Sequence, residues 1–380
     1  MKPKVTFVSS VPLSEPVIRN RLLPFVSGFH DKKYEIVLVC PASNFKLKNF
    51  PIKFELKGVN LSNNKPKGFV KRAFVEILDV FKLLRQASKT NSDIYLLTAP
   101  SMFLIFLAPL LLYKKKVFLD VRDLSWEYLS NDNLIEKTAK NVFRLLFKCT
   151  VSFYQHISAT NPTEINYIAA ICGVKGVTKV TNGITLSQYN KLKKLPVTQS
   201  QQFTVSYIGN LGLAQNLETL IEAAKELPDI RFNIVGSGIE EKHLKGLVEK
   251  YSLKNINLPG KVSWNEVLKY YSESDVLYAQ LAPEYASAVP SKLYEYLATG
   301  KWVLYGGEGQ AVEHLKIFEG CTVVKPCSVN ELTLKIKELK TKKPKNFYSK
   351  KNRKIIQDNY IRENAVKKYL NELADLLQVK

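Results

Sequence analysis

The chain has 380 residues, of which 46% are hydrophobic and 24% are charged, and its formal net charge is +22. This composition excludes a disordered chain, and the length predicts two domains. The excess of positive charge favours anionic partners, but the basic residues are mostly scattered lysines without an arginine-rich tail, so we expect no nucleic-acid partner. Five cysteines without a CxxC pair and four histidines without an HExxH motif argue against a disulfide framework and a metal site.

The first half alternates short β-branched runs with helical stretches, which is typical of parallel α/β domains. The amino terminus has too short an apolar run for a signal peptide and is predicted to be a strand followed by a loop. Strands are predicted at residues 5–9, 35–39, 94–98, 117–120 and 156–159, with a last strand at 180–184 that runs into an Asn-Gly turn. Helices are predicted near residues 19–28, 70–88, 103–113 and 133–154.

Residues 94–113, IYLLTAPSMFLIFLAPLLLY, imitate a membrane span because they contain no charge and are followed by three lysines. Pro100 and Pro109 interrupt the stretch, so a strand followed by a buried helix is predicted instead. Contact of this helix and its lysines with a membrane surface is the alternative.

Residues 187–202, SQYNKLKKLPVTQSQQ, are polar and lack periodicity, and we predict that they form a linker. The alternation then restarts, with strands predicted at 204–208, 231–235, 256–258, 276–279 and 302–305 and helices at 215–226, 240–251, 264–273 and 290–298. The tail from residue 350 is predicted to be one long helical stretch. The predicted organisation is a first domain at 1–186, a second at 203–355 and a terminal helix at 356–380, with a ligand cleft outside the carboxyl ends of the strands.

Two strands of the second half run into glycine. VSYIGNLG places Gly209 and Gly212 after one strand, and FNIVGSG places Gly236 and Gly238 after the next. Glycine at such ends lets the backbone approach a ligand, although strand-to-helix turns also use glycine for purely structural reasons.

Residues 287–300, SAVPSKLYEYLATG, have the signals of a well-capped helix. Pro290 suits its first turn, and the free amides of Ser291, Lys292 and Leu293 would point out of the helix end. Together with the helix dipole and the Lys292 ammonium, they predict an anion site suited to a diphosphate. Glu295 lies one turn further on the same face and could accept two hydrogen bonds from a ribose; an ordinary surface Lys–Glu pair is the alternative.

Several segments together resemble the retaining GT-B glycosyltransferases of family 4, above all the bacterial members that build surface polysaccharides, including fucosamine-transferase-like enzymes of O-antigen and capsule assembly. The segments are YIGNLGLAQNLETLIEAA, FNIVGSGIEEKHLKGL, INLPGKVSWNEVLKYYSESDVLYAQL, VPSKLYEYLATGKWVLYGGEGQAVEHL and FLDVRDLSWE. The resemblance implies two Rossmann-like α/β domains, of which the first binds the acceptor and the second the nucleotide-sugar, with the terminal helix returning to the first domain. It implies retaining transfer of a hexosyl or N-acetylhexosaminyl group from a nucleotide-sugar. It also implies a lipid-linked saccharide acceptor, no metal or other cofactor, and peripheral attachment to the anionic cytoplasmic face of the inner membrane.

The resemblance also implies roles for individual residues. The turn facing the diphosphate and the transferred sugar would comprise Gly209, Asn210, Gly212 and Gln215. The nucleotide base would be framed by Gly236, Gly260, Lys261 and Val262. The diphosphate would be held by Pro290, Ser291, Lys292 and Leu293, and the ribose by Glu295. Asp120, Arg122 and Asp123 would lie near the acceptor as candidate catalytic residues, and a strand-end salt-bridge cluster is their alternative interpretation.

Three features depart from the family pattern. Ser287 stands where many members carry the first glutamate of a two-glutamate motif, so either Glu284 or Glu308 replaces that glutamate or no residue does. The glycine pair of the first domain is replaced by Ser9, Ser10 and Pro16, and a basic residue after the first glycine turn by Gln215 and Asn216. Two alternatives therefore stay open: a nucleotide-sugar epimerase, and a non-catalytic GT-B scaffold of a membrane glycan-assembly complex. The joint presence of Lys292 and Glu295 favours the transferase.

Overall fold

A computed structural model describes residues 2–44, 50–62, 66, 68–99, 101–129, 131, 133–172, 177–196, 202–342 and 347–377. The contacts divide the chain into two compact units. Unit 1 comprises Met1–Asn182 and Arg362–Lys380, and unit 2 comprises Gly183–Ile361.

Unit 1 is built on a seven-stranded parallel sheet with the strand order β3-β2-β1-β4-β5-β6-β7. Its elements up to the boundary are β1 (Lys4–Ser9), α1 (Pro16–Asp31), β2 (Glu35–Pro41), β3 (Glu55–Val59), α2 (Phe69–Ser88), β4 (Ile94–Ala99), α3 (Met102–Leu111), β5 (Lys116–Val121), α4 (Leu134–Thr150), β6 (His156–Ala159), α5 (Pro162–Cys172) and β7 (Val177–Lys179).

Unit 2 is built on a six-stranded parallel sheet with the order β10-β9-β8-β11-β12-β13. Its elements are α6 (Leu186–Leu192), β8 (Thr204–Ile208), α7 (Glu218–Lys225), β9 (Arg231–Val235), α8 (Glu241–Lys250), β10 (Ile256–Gly260), α9 (Trp264–Glu273), β11 (Val276–Gln280), α10 (Ser291–Thr299), β12 (Trp302–Gly306), α11 (Gln310–Leu315), β13 (Cys321–Val324), α12 (Val329–Lys342) and α13 (Lys350–Asn359). The chain then returns to unit 1 with α14 (Arg362–Glu372) and α15 (Ala374–Leu377).

The predicted class of fold, two parallel α/β domains, is confirmed. The strands are apolar because a parallel sheet is covered on both faces, and all six residues of β4 are buried. The apolar stretch at 94–113 is β4 followed by α3, whose Phe103, Leu104, Ile105 and Phe106 are buried, as the sequence predicted. No helix among the described residues is long and apolar enough to cross a membrane.

The strand predicted at residues 180–184 is wrong. The last strand of unit 1 is β7, and Ile184 makes only an isolated bridge with Ile361. The carbonyls of Val180 and Thr181, which a strand would use for hydrogen bonds within the sheet, accept hydrogen bonds from Nη1 of the buried Arg21 side chain instead, at 2.9 and 3.2 Å. The sequence analysis also missed β3, α5, α11, β13 and α12.

The tail is not one long helix. α13 ends at Asn359, and α14 begins three residues later at Arg362. The interruption has a physical reason, since the carbonyl of Tyr360 accepts a hydrogen bond from the amide of Ile184 at 3.0 Å instead of continuing a helix. α14 packs against α1.

The predicted linker contains ordered structure. Its first part forms α6, which begins with a capping box between Thr185 and Gln188. Tyr189 and Leu192 of α6 are buried in the core of unit 2. Residues 197–201 of the predicted linker lie outside the described ranges.

Candidate functional site

The glycines at the carboxyl ends of β8, β9 and β10 join neighbouring strands to each other. The amide of Gly209 donates to the carbonyl of Val235 at 2.9 Å, and the amide of Gly236 donates to the carbonyl of Gly260 at 2.9 Å. Gly236 has a φ of +147°, and a Cβ there would lie 1.7 Å from the carbonyl oxygen of Gly209. Packing of one backbone against another therefore requires glycine at 236.

The loop after β8 is held closed by its own side chains. Oε1 of Gln215 accepts a hydrogen bond from the amide of Gly212 at 3.1 Å and from Nδ2 of Asn210 at 3.5 Å. The hydroxyl of Tyr207 donates to the carbonyl of Asn210 at 2.5 Å. The sequence predicts that Gln215 contacts the nucleotide-sugar, but its side-chain oxygen already accepts hydrogen bonds that stabilise the loop.

α10 begins and ends where the sequence predicted, within one residue. Pro290 is its N-cap, and Gly300 ends it with a φ of 76°. The prediction of three free amides is wrong for Leu293, because its amide donates to the carbonyl of Pro290 at 3.1 Å. The amides of Ser291 and Lys292 open the helix and have no acceptor within it, so these two are the donors that the helix end presents.

The side chain of Lys292 reaches the end of β8. Its Nζ lies 3.9 Å from the centroid of the Tyr207 ring and donates a hydrogen bond to the Tyr207 hydroxyl. A Cβ at Gly209 would lie 2.6 Å from the same Nζ. Burial lowers the pKa of Lys292 to about 7, while the negative charge of Glu295 acts in the opposite direction. The structure therefore brings the predicted Lys292 and the first glycine turn together.

Glu295 is not an exposed surface residue paired only with Lys292. The hydroxyl of Tyr271 donates to its Oε2 at 2.7 Å, and Nε2 of Gln188 donates to its Oε1 at 3.2 Å. Gln188 is itself oriented by Thr185, whose amide donates to the Gln188 Oε1 at 3.0 Å. These two hydrogen bonds fix the orientation of the Glu295 carboxylate, a group that accepts hydrogen bonds at up to about four lone-pair positions.

The sequence analysis missed both residues that orient Glu295. Gln188 lay in the predicted linker, where the only signal was its spacing of three from Thr185, which is that of a capping box. Tyr271 lies on α9, far from Glu295 along the chain, and only the tertiary structure brings them together.

The other residues predicted in unit 2 lie on exposed connections. Glu284 is exposed in a single 3-10 turn, Pro283–Tyr285, that follows β11. This turn is joined to the loop after β8, because the amide of Ala282 donates to the carbonyl of Ala214 at 2.8 Å. Lys261 is exposed and Val262 is partly buried between β10 and α9.

Asp120 forms a buried ion pair in unit 1. Nε of Arg21 donates to its Oδ2 at 3.0 Å and Nη2 to its Oδ1 at 2.5 Å, and the hydroxyls of Thr98 and Ser158 donate at 3.1 and 2.8 Å. Burial pushes the pKa of Asp120 upward, but the Arg21 guanidinium and the hydroxyl of Ser158 outweigh it and lower the pKa below its usual value. Asp120 is therefore part of a salt bridge, which is the alternative interpretation of the sequence. Its partner is Arg21, whereas the sequence suggested Arg122.

Arg122 and Asp123 follow β5 beside a carboxyl group that the sequence analysis missed. Glu164 is 6% exposed and accepts hydrogen bonds from the amide and hydroxyl of Thr160 at 3.2 and 2.8 Å. Burial raises the pKa of Glu164 to about 8, and the charge of Asp123 adds to the rise. Nε of Arg122 is buried without a hydrogen-bond partner among the described residues.

Unit 1 also contains a partly open cavity of about 870 Å³. Its wall combines apolar side chains with polar ones, among them Ser10, Arg72, Glu76, Ser101, Phe103 and Phe143. The hydroxyl of Ser101 is buried and has no hydrogen-bond partner within the described part of the chain. A cavity with both kinds of lining suits an amphipathic or sugar-containing ligand.

Comparison with known proteins identifies the class to which this architecture belongs. Residues 189–361 match the family model described as "Glycosyl transferases group 1", and this segment lies inside unit 2. The whole chain superimposes on a crystal structure of Anabaena Alr3699/HepE in complex with UDP and glucose, with a TM-score of 0.69, 14% identity and coverage of 99% of this chain and 100% of the other. The chain thus has the GT-B fold, and its second unit is similar to the glycosyl transferases group 1 family over residues 189–361.

Two curated relatives are similar over part of their length. An uncharacterized glycosyltransferase of Haemophilus influenzae is 26% identical over 208 residues, which are 52% of this chain and 55% of the relative. The putative colanic acid biosynthesis glycosyl transferase WcaI of Escherichia coli is 28% identical over 178 residues, which are 44% of this chain and 42% of the relative. The chain therefore spans about half the length of the curated relatives it matches.

Proposed function

We propose that the protein is a retaining glycosyltransferase of the family 4 type, which transfers a hexosyl or N-acetylhexosaminyl group from a nucleotide-sugar to a saccharide. The observation that carries the proposal is the arrangement around the first turn of α10. There the amides of Ser291 and Lys292, the Lys292 amine beside Gly209 and the oriented carboxylate of Glu295 belong to one small region of unit 2.

This arrangement suits a nucleoside diphosphate. The two helix-end amides and the Lys292 amine supply preorganised positive potential for the diphosphate, which gains charge as the glycosidic bond breaks. Glu295 would accept hydrogen bonds from the ribose, because Tyr271 and Gln188 hold its carboxylate in place. We propose that the exposed connection carrying Lys261 and Val262 borders the base. HepE, which shares the fold, was crystallised with UDP, so UDP is the first nucleotide to test.

The chemistry proposed for the donor requires no metal ion, because lysine and amide donors supply the positive potential that a cation otherwise supplies. Glu284, exposed on the turn after β11, is the candidate carboxylate for contact with the transferred sugar in place of Ser287. We expect chelation of divalent cations to leave transfer unchanged.

We further propose that unit 1 binds the acceptor and that the acceptor is a lipid-linked saccharide of bacterial surface-polysaccharide assembly at the cytoplasmic membrane face. Two observations support this proposal. The cavity of unit 1 combines polar and apolar walls, and the chain carries a net charge of +22 that favours an anionic surface. WcaI, a relative, is named for colanic acid biosynthesis, which is the kind of process proposed.

The first test is thermal stabilisation of the purified protein by a panel of nucleoside diphosphates and their sugars. A ligand that binds only the folded state raises the melting temperature. We expect a shift with one nucleotide that is lost in Lys292→Ala and in Glu295→Ala. The matched control is Lys335→Ala/Glu338→Ala, which removes another lysine–glutamate pair at the same spacing, on α12. Its shift should equal that of the wild type.

Other outcomes point to the alternatives. If no nucleotide shifts the melting temperature, the donor site does not exist and the non-catalytic scaffold replaces the transferase. If a sugar nucleotide binds and its sugar is isomerised in the absence of an acceptor, the protein is an epimerase. Product analysis by chromatography, with and without a saccharide acceptor, distinguishes the two enzymes.

A further inference from the structure

The exposed apolar side chains of this protein concentrate on one layer of unit 1. More than half of the large apolar side chains that are exposed among the described residues lie on α2, on α4 or at the end of α3. These helices are neighbours, since α3 packs against both α2 and α4. A concentration of this kind on a protein surface usually marks an interaction site.

α2 carries the clearest part of this surface. Val70, Phe74, Leu78 and Phe81 are 71%, 63%, 45% and 44% exposed. Their spacing of four, four and three residues places them on one face of the helix. The core-facing side of the same helix is separately buried, so these four residues are surplus to the packing of unit 1.

α4 and the end of α3 extend the surface. On α4, Ile135, Val142 and Leu145 are 63%, 48% and 62% exposed and recur at helical spacing. Leu110 and Tyr113, where α3 ends, are 75% and 69% exposed. The body of α3 is buried, so this helix cannot itself lie on a membrane, which was the alternative interpretation of the sequence. The exposed apolar surface is formed mainly by its two neighbours, α2 and α4.

Positive charge surrounds these apolar residues. The exposed basic side chains on and beside the three helices include Lys71, Arg85, Lys89, Lys114, Lys137 and Lys148. The acidic residues of α2 do not offset them at the surface, because Asp79 is buried and Glu76 is paired with Arg72 at 3.1 Å. Apolar side chains bordered by lysine and arginine are typical of elements that lie on anionic lipid.

We propose that this surface, defined by the exposed apolar residues of α2, α4 and the end of α3, docks the protein on an anionic lipid bilayer. The apolar side chains enter the interface, and the surrounding cations face the lipid phosphates. A second copy of the chain is a poorer occupant, since pairing two such surfaces brings like charges together.

The position of the cavity in unit 1 connects this surface with the proposed function. Its wall includes Arg72 and Glu76 of α2, Phe103 of α3 and Phe143 of α4. The three helices that carry the apolar surface therefore also line the cavity. The inference rests on the proposed function in one respect: a lipid-linked acceptor would be delivered beside the helices that line this cavity. The docking itself needs no glycosyl transfer and is tested separately.

The test is co-sedimentation of the full chain with vesicles of phosphatidylcholine alone and of phosphatidylcholine mixed with phosphatidylglycerol. We expect binding to the mixed vesicles that weakens as salt rises. Phe74→Ser/Phe81→Ser should weaken it by about tenfold or more, because two aromatic side chains no longer enter the interface. The control is Leu334→Ser, which removes an apolar side chain 61% exposed on α12 of unit 2 and should bind like the wild type.

Equal binding of the double variant and the wild type, or no binding of the wild type to mixed vesicles, would overturn the proposal. Sedimentation velocity tests whether a second copy of the chain occupies the surface. If the wild type is a dimer and the double variant is a monomer, while vesicle binding is unchanged, the surface serves self-association. Nucleotide-induced stabilisation of the same preparations separates the two proposals. A double variant that keeps the nucleotide shift but loses the vesicles supports docking, and vesicle binding without any nucleotide shift refutes only the proposed function.

Discussion

Nζ of Lys292 lies 3.9 Å from the centroid of the Tyr207 ring and donates a hydrogen bond to the hydroxyl of that tyrosine. The contact joins the first turn of α10 to β8, which are 85 residues apart in the chain. The tyrosine hydroxyl in turn donates its own hydrogen bond to the carbonyl of Asn210. Lys292, the Tyr207 ring and the glycine turn are thus in contact with one another. A substitution in any of them should alter binding at the proposed diphosphate site.

The pH dependence of nucleotide binding should reveal the state of Lys292. Burial lowers its pKa to about 7, so the amine of the free protein loses its proton as pH rises above neutrality. A bound diphosphate favours the charged form, so the dissociation constant should increase above pH 7 by up to roughly tenfold for each pH unit. Calorimetry from pH 7 to 9 measures it. The control, Lys292→Met, should bind more weakly and with little dependence on pH; equal pH dependence in both proteins would contradict this account.

Gly209→Ala should weaken nucleotide binding without unfolding the protein. The new Cβ would lie 2.6 Å from Nζ and 2.8 Å from Cε of Lys292, and the end of a flexible side chain can move away. Loss of one charge-assisted contact to the diphosphate predicts affinity lower by roughly tenfold or more. Gly246→Ala is the matched control, since a Cβ there meets nothing within 4 Å. That helical substitution should stabilise the protein by about 0.5–1 kcal/mol and leave affinity unchanged.

Asp120→Asn should reduce stability far more than an ordinary loss of charge. The substitution leaves the guanidinium of Arg21, 2% exposed, without its counter-charge. Breaking a buried pair in this way costs about 3–5 kcal/mol. Glu55→Gln, which removes an exposed carboxylate paired with Lys57 at 3.2 Å, should cost less than about 1 kcal/mol. Urea unfolding measures both; unchanged stability with loss of transfer would instead assign Asp120 a catalytic role.

Glu164→Gln should stabilise the protein increasingly as pH rises. Burial raises the pKa of Glu164 to about 8, above its usual 4.5, so the folded state holds a proton that the unfolded state releases between these values. Stability from this group is complete below pH 4.5 and declines by up to about 1.4 kcal/mol per pH unit until pH 8. Thermal unfolding of both proteins at pH 5 and pH 8 tests this, and a stability difference that does not grow with pH would show that Glu164 is ionised.

The sequence was most informative where local patterns and burial act together. Strands β8, β9 and β6 lie where the apolar runs predicted them, because strands covered on both faces must be apolar throughout. The limits of α10 followed from Pro290 and Gly300, whose backbone preferences act locally. The prediction of a strand at 180–184 was wrong because the side chain of Arg21 donates hydrogen bonds to two carbonyls of this segment, and no local sequence pattern reveals such a contact.

The sequence by itself determined the parallel α/β class and the limits of α10, and it singled out Lys292 and Glu295 as candidates for an anion site. These follow from periodicity, helix capping and charge, which operate within a few residues. Only the tertiary structure decided which groups restrain them: Tyr207 for Lys292, Tyr271 and Gln188 for Glu295, and Arg21 for Asp120. It also decided which apolar side chains of α2 and α4 stay at the surface. Partners distant in sequence meet because sheet order and helix packing bring them together, and the energy of each contact depends on burial that only the folded chain creates.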